Sequence, residues 1–214
     1  MQTTIVVADD HDLVRMGIVR MIEDIDNLTV VAEAKTGEEA IQAVRAHKPG
    51  VVLMDVKMPG IGGLEATKKI LAIAAQTKVI AVTGVTDEMY ADRLLKAGAA
   101  GYVTKEAGFD EIVAGIQKVL RGGRYMSGDV AQQLALKNFA GGSEGNPFDE
   151  LSERELQTAL MISGGMKVPD IAESFCISPK TVNSYRYRIF EKLNITSDVE
   201  LALLAVKHNM LEVG

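Results

Sequence analysis

Val51-Val52-Leu53-Met54-Asp55-Val56-Lys57-Met58-Pro59-Gly60 places four apolar residues directly before a carboxylate and closes on a proline–glycine break. A short continuous apolar run bounded by turn residues reads as a strand buried on both faces. Asp55 then stands at the carboxyl end of that strand, the edge where open parallel α/β sheets bind their ligands. Taken alone, Asp55 reads equally well as the first residue of a turn, a common place for aspartate. The neighbouring segments decide between the two.

Outward from this stretch, residues 3–122 alternate short apolar runs with helix-period segments. The strands are expected over 4–8, 28–34, 51–55, 79–83 and 101–103, and the helices near 12–25, 37–47, 63–75, 87–97 and 108–121. Thr36 with Glu39 makes a capping box at the second helix. Strands alternating with helices imply parallel β-α-β units, and five of them predict a flavodoxin-like, doubly wound, five-stranded parallel sheet. After Arg121-Gly122-Gly123 the composition changes, and Ala140-Gly141-Gly142-Ser143-Glu144-Gly145-Asn146-Pro147 reads as a linker. Beyond it only helical signals remain, among them a Ser152–Glu155 capping box, Ser178-Pro179 at a helix start, and Ser197 with Glu200. The expected organisation is an α/β domain over 1–124, a linker with a helical segment over 125–150, and a small all-α four-helix domain over 151–214.

Composition sets the boundaries of function. The chain has 214 residues, 47% hydrophobic and 24% charged, which is ordinary for a globular protein. No apolar run reaches the length of a membrane span, and Met1-Gln2-Thr3-Thr4 lacks a signal peptide's basic start, so no membrane partner is expected. One cysteine, Cys176, leaves no intrachain disulfide and fits a reduced cytoplasm. A net charge of −6 argues against generic polyanion binding but leaves local basic patches open.

The first strand ends in Asp9-Asp10, and the flavodoxin-like order makes it a neighbour of the third, so Asp9, Asp10 and Asp55 converge. Three carboxylates together call for a hard divalent cation, with Mg2+ the natural choice. The fourth strand ends at Thr83 and the fifth is followed by Lys105, adding a hydroxyl donor and a point positive charge at one edge. With Asp9-Asp10, Asp55 in Asp-Val-Lys-Met-Pro-Gly, Thr83, Tyr102 and Lys105, residues 3–122 resemble the receiver domain of bacterial two-component response regulators. The resemblance implies that Asp55 is the phosphoryl acceptor. It implies that Asp9, Asp10, Asp55 and the Lys57 backbone carbonyl hold Mg2+, that Lys105 contacts the phosphate, and that Thr83 and Tyr102 form a switch. On phosphorylation Thr83 is recruited and Tyr102 turns inward. Where many receivers have proline after the lysine, this chain has Glu106.

In the second domain, residues 171–193 read as helix, tight turn, helix. The second of these helices carries a core stripe of Val182, Tyr185, Ile189 and Leu193, and four basic residues against one acid. Leu-Ser-Glu-Arg-Glu, Ile-Ser-Pro-Lys-Thr-Val and Lys192-Leu193 resemble a LuxR-type helix-turn-helix, so the whole chain is similar to the NarL/FixJ class and most like its GacA/UvrY/SirA subgroup. That resemblance implies a hybrid sensor histidine kinase of the GacS/BarA type, double-stranded promoter DNA with inverted half-sites, RNA polymerase and an active homodimer. It further implies transcription of small regulatory RNA genes. Asn183, Ser184 and Tyr187 match base-facing positions, and Lys180, Thr181, Arg186 and Arg188 are assigned to phosphates. Val199, Leu201, Leu204 and Ala205 give the last helix its expected dimerisation face.

Two other classes are weighed by residue. A magnesium-dependent phosphatase using Asp55 needs an acid two residues on, where Lys57 stands, and a nucleotide binder needs a glycine-rich phosphate loop that the chain lacks. No enzyme with a released product is expected, only self-phosphorylation and dephosphorylation at Asp55. The assignment of base and phosphate contacts predicts unequal losses: Asn183→Ala weakens specific binding by about 1–3 kcal/mol and spares nonspecific binding. Arg188→Ala lowers both and flattens the salt dependence by about one unit of slope. Equal losses in salt-titrated binding assays would overturn the assignment.

Overall fold

The computed structural model describes residues 2–84, 88–139, 146–208 and 210. They fall into two compact units, divided along the chain between residues 141 and 142.

In the first unit the strands are β1 (Thr3–Ala8), β2 (Leu28–Ala34), β3 (Val51–Met54), β4 (Lys78–Thr83), β5 (Gly101–Thr104) and β6 (Tyr125–Met126). All are parallel, in the order β2-β1-β3-β4-β5-β6. The doubly wound order is the expected one, with a short sixth strand where the sequence implied five. Tyr125–Met126 pairs with Gly101 and Tyr102, too brief an extended stretch to leave a pattern of its own. The helices are α1 (Asp12–Glu23), α2 (Gly37–His47), α3 (Gly62–Ile73), α4 (Glu88–Lys96), α5 (Phe109–Leu120) and α6 (Gly128–Phe139).

Alternation along the strands sends successive side chains to opposite faces. Ile5, Val7, Leu53, Ile80 and Val82 pack with Ile18 and Ile22 of α1 and with Ile112, Ile116 and Val119 of α5. Val6, Ala8, Val52, Met54 and Val79 pack with Ala40 and Val44 of α2 and with Ala66 and Ile70 of α3. The third strand is buried along its whole length, as its unbroken apolar run required. Residues 125–139 continue this unit rather than a linker. Ser127 N–H donates to the Tyr102 carbonyl at 3.0 Å, and Val130 of α6 is buried.

The second unit holds four helices, α7 (Glu153–Ser163), α8 (Val168–Ser174), α9 (Pro179–Leu193) and α10 (Asp198–Lys207), preceded by a 3-10 turn at Pro147–Glu150. Its core gathers Phe148, Leu156, Ile171, Val182, Ile189, Leu193, Leu201 and Ala205. Phe148 is fully buried, so the unit begins before residue 151. Of the linker read from sequence, residues 140–145 lie outside the described residues, as do 87 and 209 at the ends of two expected helices.

The Ser152–Glu155 box is reciprocal, with Ser152 N–H donating to Glu155 Oε2 at 2.8 Å. Thr36 and Ser197 cap their helices as read, but the glutamate in each case reaches one residue further back. Glu39 accepts from Lys35 N–H and Glu200 from Thr196 N–H, both at 2.7 Å.

Two glycines show how tightly the Asp55 loop is held. Gly60 has φ +77°, and a Cβ there would collide with the Glu38 carboxylate, which itself accepts from Ile61 N–H. Gly63, in the first turn of α3, lies so close that an added Cβ would sit 2.0 Å from the Asp55 carbonyl oxygen. Gly63→Ala should therefore cost about 1–3 kcal/mol through forced displacement of backbone. Gly17, in α1 with nothing near its would-be Cβ, is the control. Gly17→Ala should gain up to about 1 kcal/mol from helix propensity. Chemical denaturation of both variants checks the opposite signs.

Candidate functional site

The carboxyl edge of the sheet is assembled from strand ends. The loop after β1 carries Asp9 and Asp10, and its path is fixed by Asp9 N–H donating to the Ala34 carbonyl at 3.0 Å. Asp55 follows β3 and stays in the ladder, its N–H donating to the Ala8 carbonyl at 2.8 Å. Asp9 and Asp55 are almost wholly buried, at 1% and 3% exposure. Lys105, just past β5, reaches over the end of β4 to both, its Nζ 2.7 Å from Asp9 Oδ2 and 2.8 Å from Asp55 Oδ2. Lys57 N–H donates to Asp55 Oδ1 at 3.3 Å, and His11 N–H to Asp9 Oδ1 at 2.9 Å.

Burial pushes the Asp55 carboxyl above its ordinary value, and the Lys105 hydrogen bond only partly offsets this. Burial pulls Lys105 downward, but its hydrogen bonds to Asp55 and Asp9 outweigh that and leave the ammonium held above the usual lysine range. The pair thus keeps a fixed cation against a carboxylate that is costly to ionise.

Asp9, Asp10, His11 and Asp55 each offer one ligand atom, all within 4.8 Å of one another. The donors are mainly hard oxygens, which suits a divalent cation of the calcium or magnesium kind. Asp10 Oδ1 is buried and accepts no hydrogen bond, although His11 Nδ1 lies 3.0 Å away. A buried carboxylate oxygen left in this state fits a group that takes a cation.

Thr83 ends β4, opposite Thr104 in register, and Tyr102 lies inside β5, opposite Ala81. Both are buried, Tyr102 completely.

Two residues beside the acidic pair carried no role in the sequence reading. His11 follows the acidic pair directly. Arg15 was hidden inside the helical period of α1, where the buried positions are 15, 18 and 22; a cation on an apolar stripe was the available signal.

In the second unit, α9 presents Lys180, Ser184, Tyr187 and Arg188 outward, with Tyr187 66% exposed, while Thr181 and Asn183 are half-buried. Ser184 hydroxyl donates to the Lys180 carbonyl of its own helix at 3.0 Å. Tyr185, expected in the core stripe, is only half-buried, whereas Val182, Ile189 and Leu193 are buried. Arg186 departs from its phosphate assignment: its guanidinium forms a two-pronged pair with Asp198 at 2.7 and 2.8 Å and lies over the Phe190 ring. Lys192 anchors the other end of the helix on Glu155 and the Glu150 carbonyl.

The face of α10 also needs correction. Leu201 and Ala205 are fully buried in their own unit and Leu204 is half-buried. The exposed apolar stripe is Val199, Leu203 and Val206, at 69%, 66% and 40% exposure. The single face read from the sequence is thus divided, with Val199 on the exposed stripe and Leu201 and Ala205 in the core.

Residues 5–117 match the family described as response regulator receiver domain, and residues 149–205 match the bacterial regulatory proteins of the luxR family. The chain belongs to the response regulators. Response regulator GacA of Pseudomonas viridiflava is 60% identical over 210 residues, 98% of each chain. Response regulator UvrY of Escherichia coli K12 is 50% identical over 206 residues, covering 96% of this chain and 94% of that one. Among solved structures, a LuxR-family two-component response regulator from Aurantimonas sp. has 37% identity and a TM-score of 0.63, covering 65% of this chain and 99% of that one. This response regulator is thus a regulatory, DNA-binding protein of two domains. No helix among its described residues is long and apolar enough to cross a membrane.

The raised Asp55 value sets a sign. The ionised form is the disfavoured one, so folded-state stability falls as pH rises through the range between the ordinary carboxyl value and the raised one. Asp55→Asn should raise the melting temperature at neutral pH, and the advantage should vanish as pH falls below the ordinary carboxyl range. Melting curves of both proteins from about pH 3 to about pH 8 test this.

Proposed function

We propose that Asp55 is phosphorylated by a hybrid sensor histidine kinase of the GacS/BarA type, and that the phosphorylated protein binds promoter DNA as a dimer. The observation that carries this reading is the Lys105 ammonium bridging the buried Asp9 and Asp55 carboxylates at 2.7 and 2.8 Å. A carboxylate held this way is stripped of water and faced by a cation, the setting that phosphoryl transfer requires.

An Asp55 oxygen attacks the phosphorus of a phosphohistidine. The new O–P bond forms as the N–P bond breaks, and the imidazole leaves with the electron pair. Lys105 holds the acceptor before the step and faces the phosphoryl oxygens after it. Asp9, Asp10, Asp55 and the Lys57 carbonyl would hold Mg2+, which would supply neutralising positive charge to the transfer. Thr83 then donates its hydroxyl to the phosphoryl group, and Tyr102, already inside, is kept there. Leu13 and Met16 of α1, 84% and 62% exposed beside the acidic pair, suit a protein phosphodonor rather than a small one.

Asn183 and Tyr187 read bases, while Lys180 and Arg188 hold phosphates. Val199, Leu203 and Val206 supply the dimer contact, which gives a two-fold site of inverted half-sites. The whole-length similarity to GacA and UvrY proteins supports promoters of small regulatory RNA genes as targets, with RNA polymerase as the final partner in a cytoplasmic setting.

Incubation with phosphorylated kinase and Mg2+ should label the wild type, and Asp55→Asn and chelated samples should take up no label. Leu203→Glu should keep the label yet weaken binding to a two-half-site operator at least tenfold, about 1.4 kcal/mol. Undiminished labelling of Asp55→Asn would remove the phosphoacceptor assignment. Undiminished operator binding by Leu203→Glu would remove the dimer face.

A further inference from the structure

Arg15 is a cation on the buried stripe of a helix, 6% exposed, and each arm of its guanidinium is engaged. Nη1 donates to the Asp9 backbone carbonyl at 2.8 Å, Nε to Glu33 Oε2 at 2.9 Å, and Nη2 to Asp12 Oδ1 at 2.5 Å. Asp12 is held further by Lys35 at 2.8 Å, and its carboxyl is lowered to about 2 by the hydrogen bonds from Lys35 and Arg15. One side chain thus ties the loop after β1 to the end of β2 and to the first turn of α1.

We infer that Arg15 is a positioning residue for the divalent cation, fixing the Asp9–Asp10 peptide through the Asp9 carbonyl without acting on the cation through its charge. This rests on the reading of Asp9, Asp10 and Asp55 as the cation and phosphoryl site.

Charge accounting supports the distinction. Arg15 and Lys35 balance Asp12 and Glu33, two positive against two negative, so the cluster behind the site is neutral. An unbalanced arginine beside a dication would repel it. Here the charge is consumed locally and the rigid fork remains, a geometry that arginine supplies and lysine does not. The peptide matters because Asp9 and Asp10 leave the chain in succession. Their carboxylates can converge on one point only while the backbone between them keeps one orientation. Outer partners of this kind commonly change metal affinity by about 10- to 100-fold.

Arg15→Ala gives the two explanations opposite signs. If Arg15 acted by charge, its loss would leave Asp12 and Glu33 uncompensated and tighten the cation. If it positions, affinity falls. Full-length protein is titrated with Mn2+, the free ion is read by its EPR amplitude, and Mg2+ is added as competitor. Arg15→Ala should weaken both ions about tenfold, while labelling at saturating Mg2+ stays within about threefold of wild type. Arg15→Lys preserves the charge and spares the fold, and it should weaken the ions as well, because a single nitrogen cannot reach the three acceptors that Nε, Nη1 and Nη2 meet separately. Unchanged or tighter binding in Arg15→Lys, or tighter binding in Arg15→Ala, overturns the assignment. If wild type binds neither ion saturably, the cation-site reading itself fails and takes the Arg15 role with it.

Discussion

Two carboxylates from different strands lie buried side by side, and the Lys105 ammonium is the charge that both share. Unpaired, each would neutralise itself by taking up a proton or would force the loops apart. The ammonium, arriving from beyond β5, touches Asp9 after β1 and Asp55 after β3. It can do so only if the strand order brings those ends to one edge. The sheet is therefore a device for delivering three chain segments to a single point, and the apolar run before Asp55 is what drives that delivery.

Legibility followed the strength of the local signal. The receiver-like order was visible because the first, third, fourth and fifth strands each run into a residue whose chemistry is at odds with its apolar approach: Asp9, Asp55, Thr83 and Lys105. The sixth strand was invisible because Tyr125–Met126 is only two residues long, too short for an alternating pattern to register. Arg15 was missed for a different reason. Its side chain lies on the buried stripe of α1, where a period count registers position and not the identity of an anchored cation. The α10 face was misread because Leu201 and Leu203 are equally apolar. Which of them faces the unit's own core is decided by packing against α7, a contact distant in sequence.

The helix-turn-helix shows the same division. Ser178 and Pro179 fixed where α9 begins, and the serine hydroxyl accepts from Thr181 N–H as its position implied. The fate of Arg186 was not local. Among the four basic residues of that helix, only structure separates Arg188, which is exposed, from Arg186, which is committed to Asp198 twelve residues on.

That pairing between Arg186 and Asp198 has a geometric consequence. It joins the DNA-facing helix to the first turn of α10 by two parallel hydrogen bonds, a joint with little freedom to rotate. Whatever surface α10 docks upon inherits the aim of α9, as a caliper's jaws inherit the setting of its hinge. In the dimer proposed above, the separation between two readable half-sites would follow from this joint, and a site of correct letters at the wrong pitch would be a poor ligand.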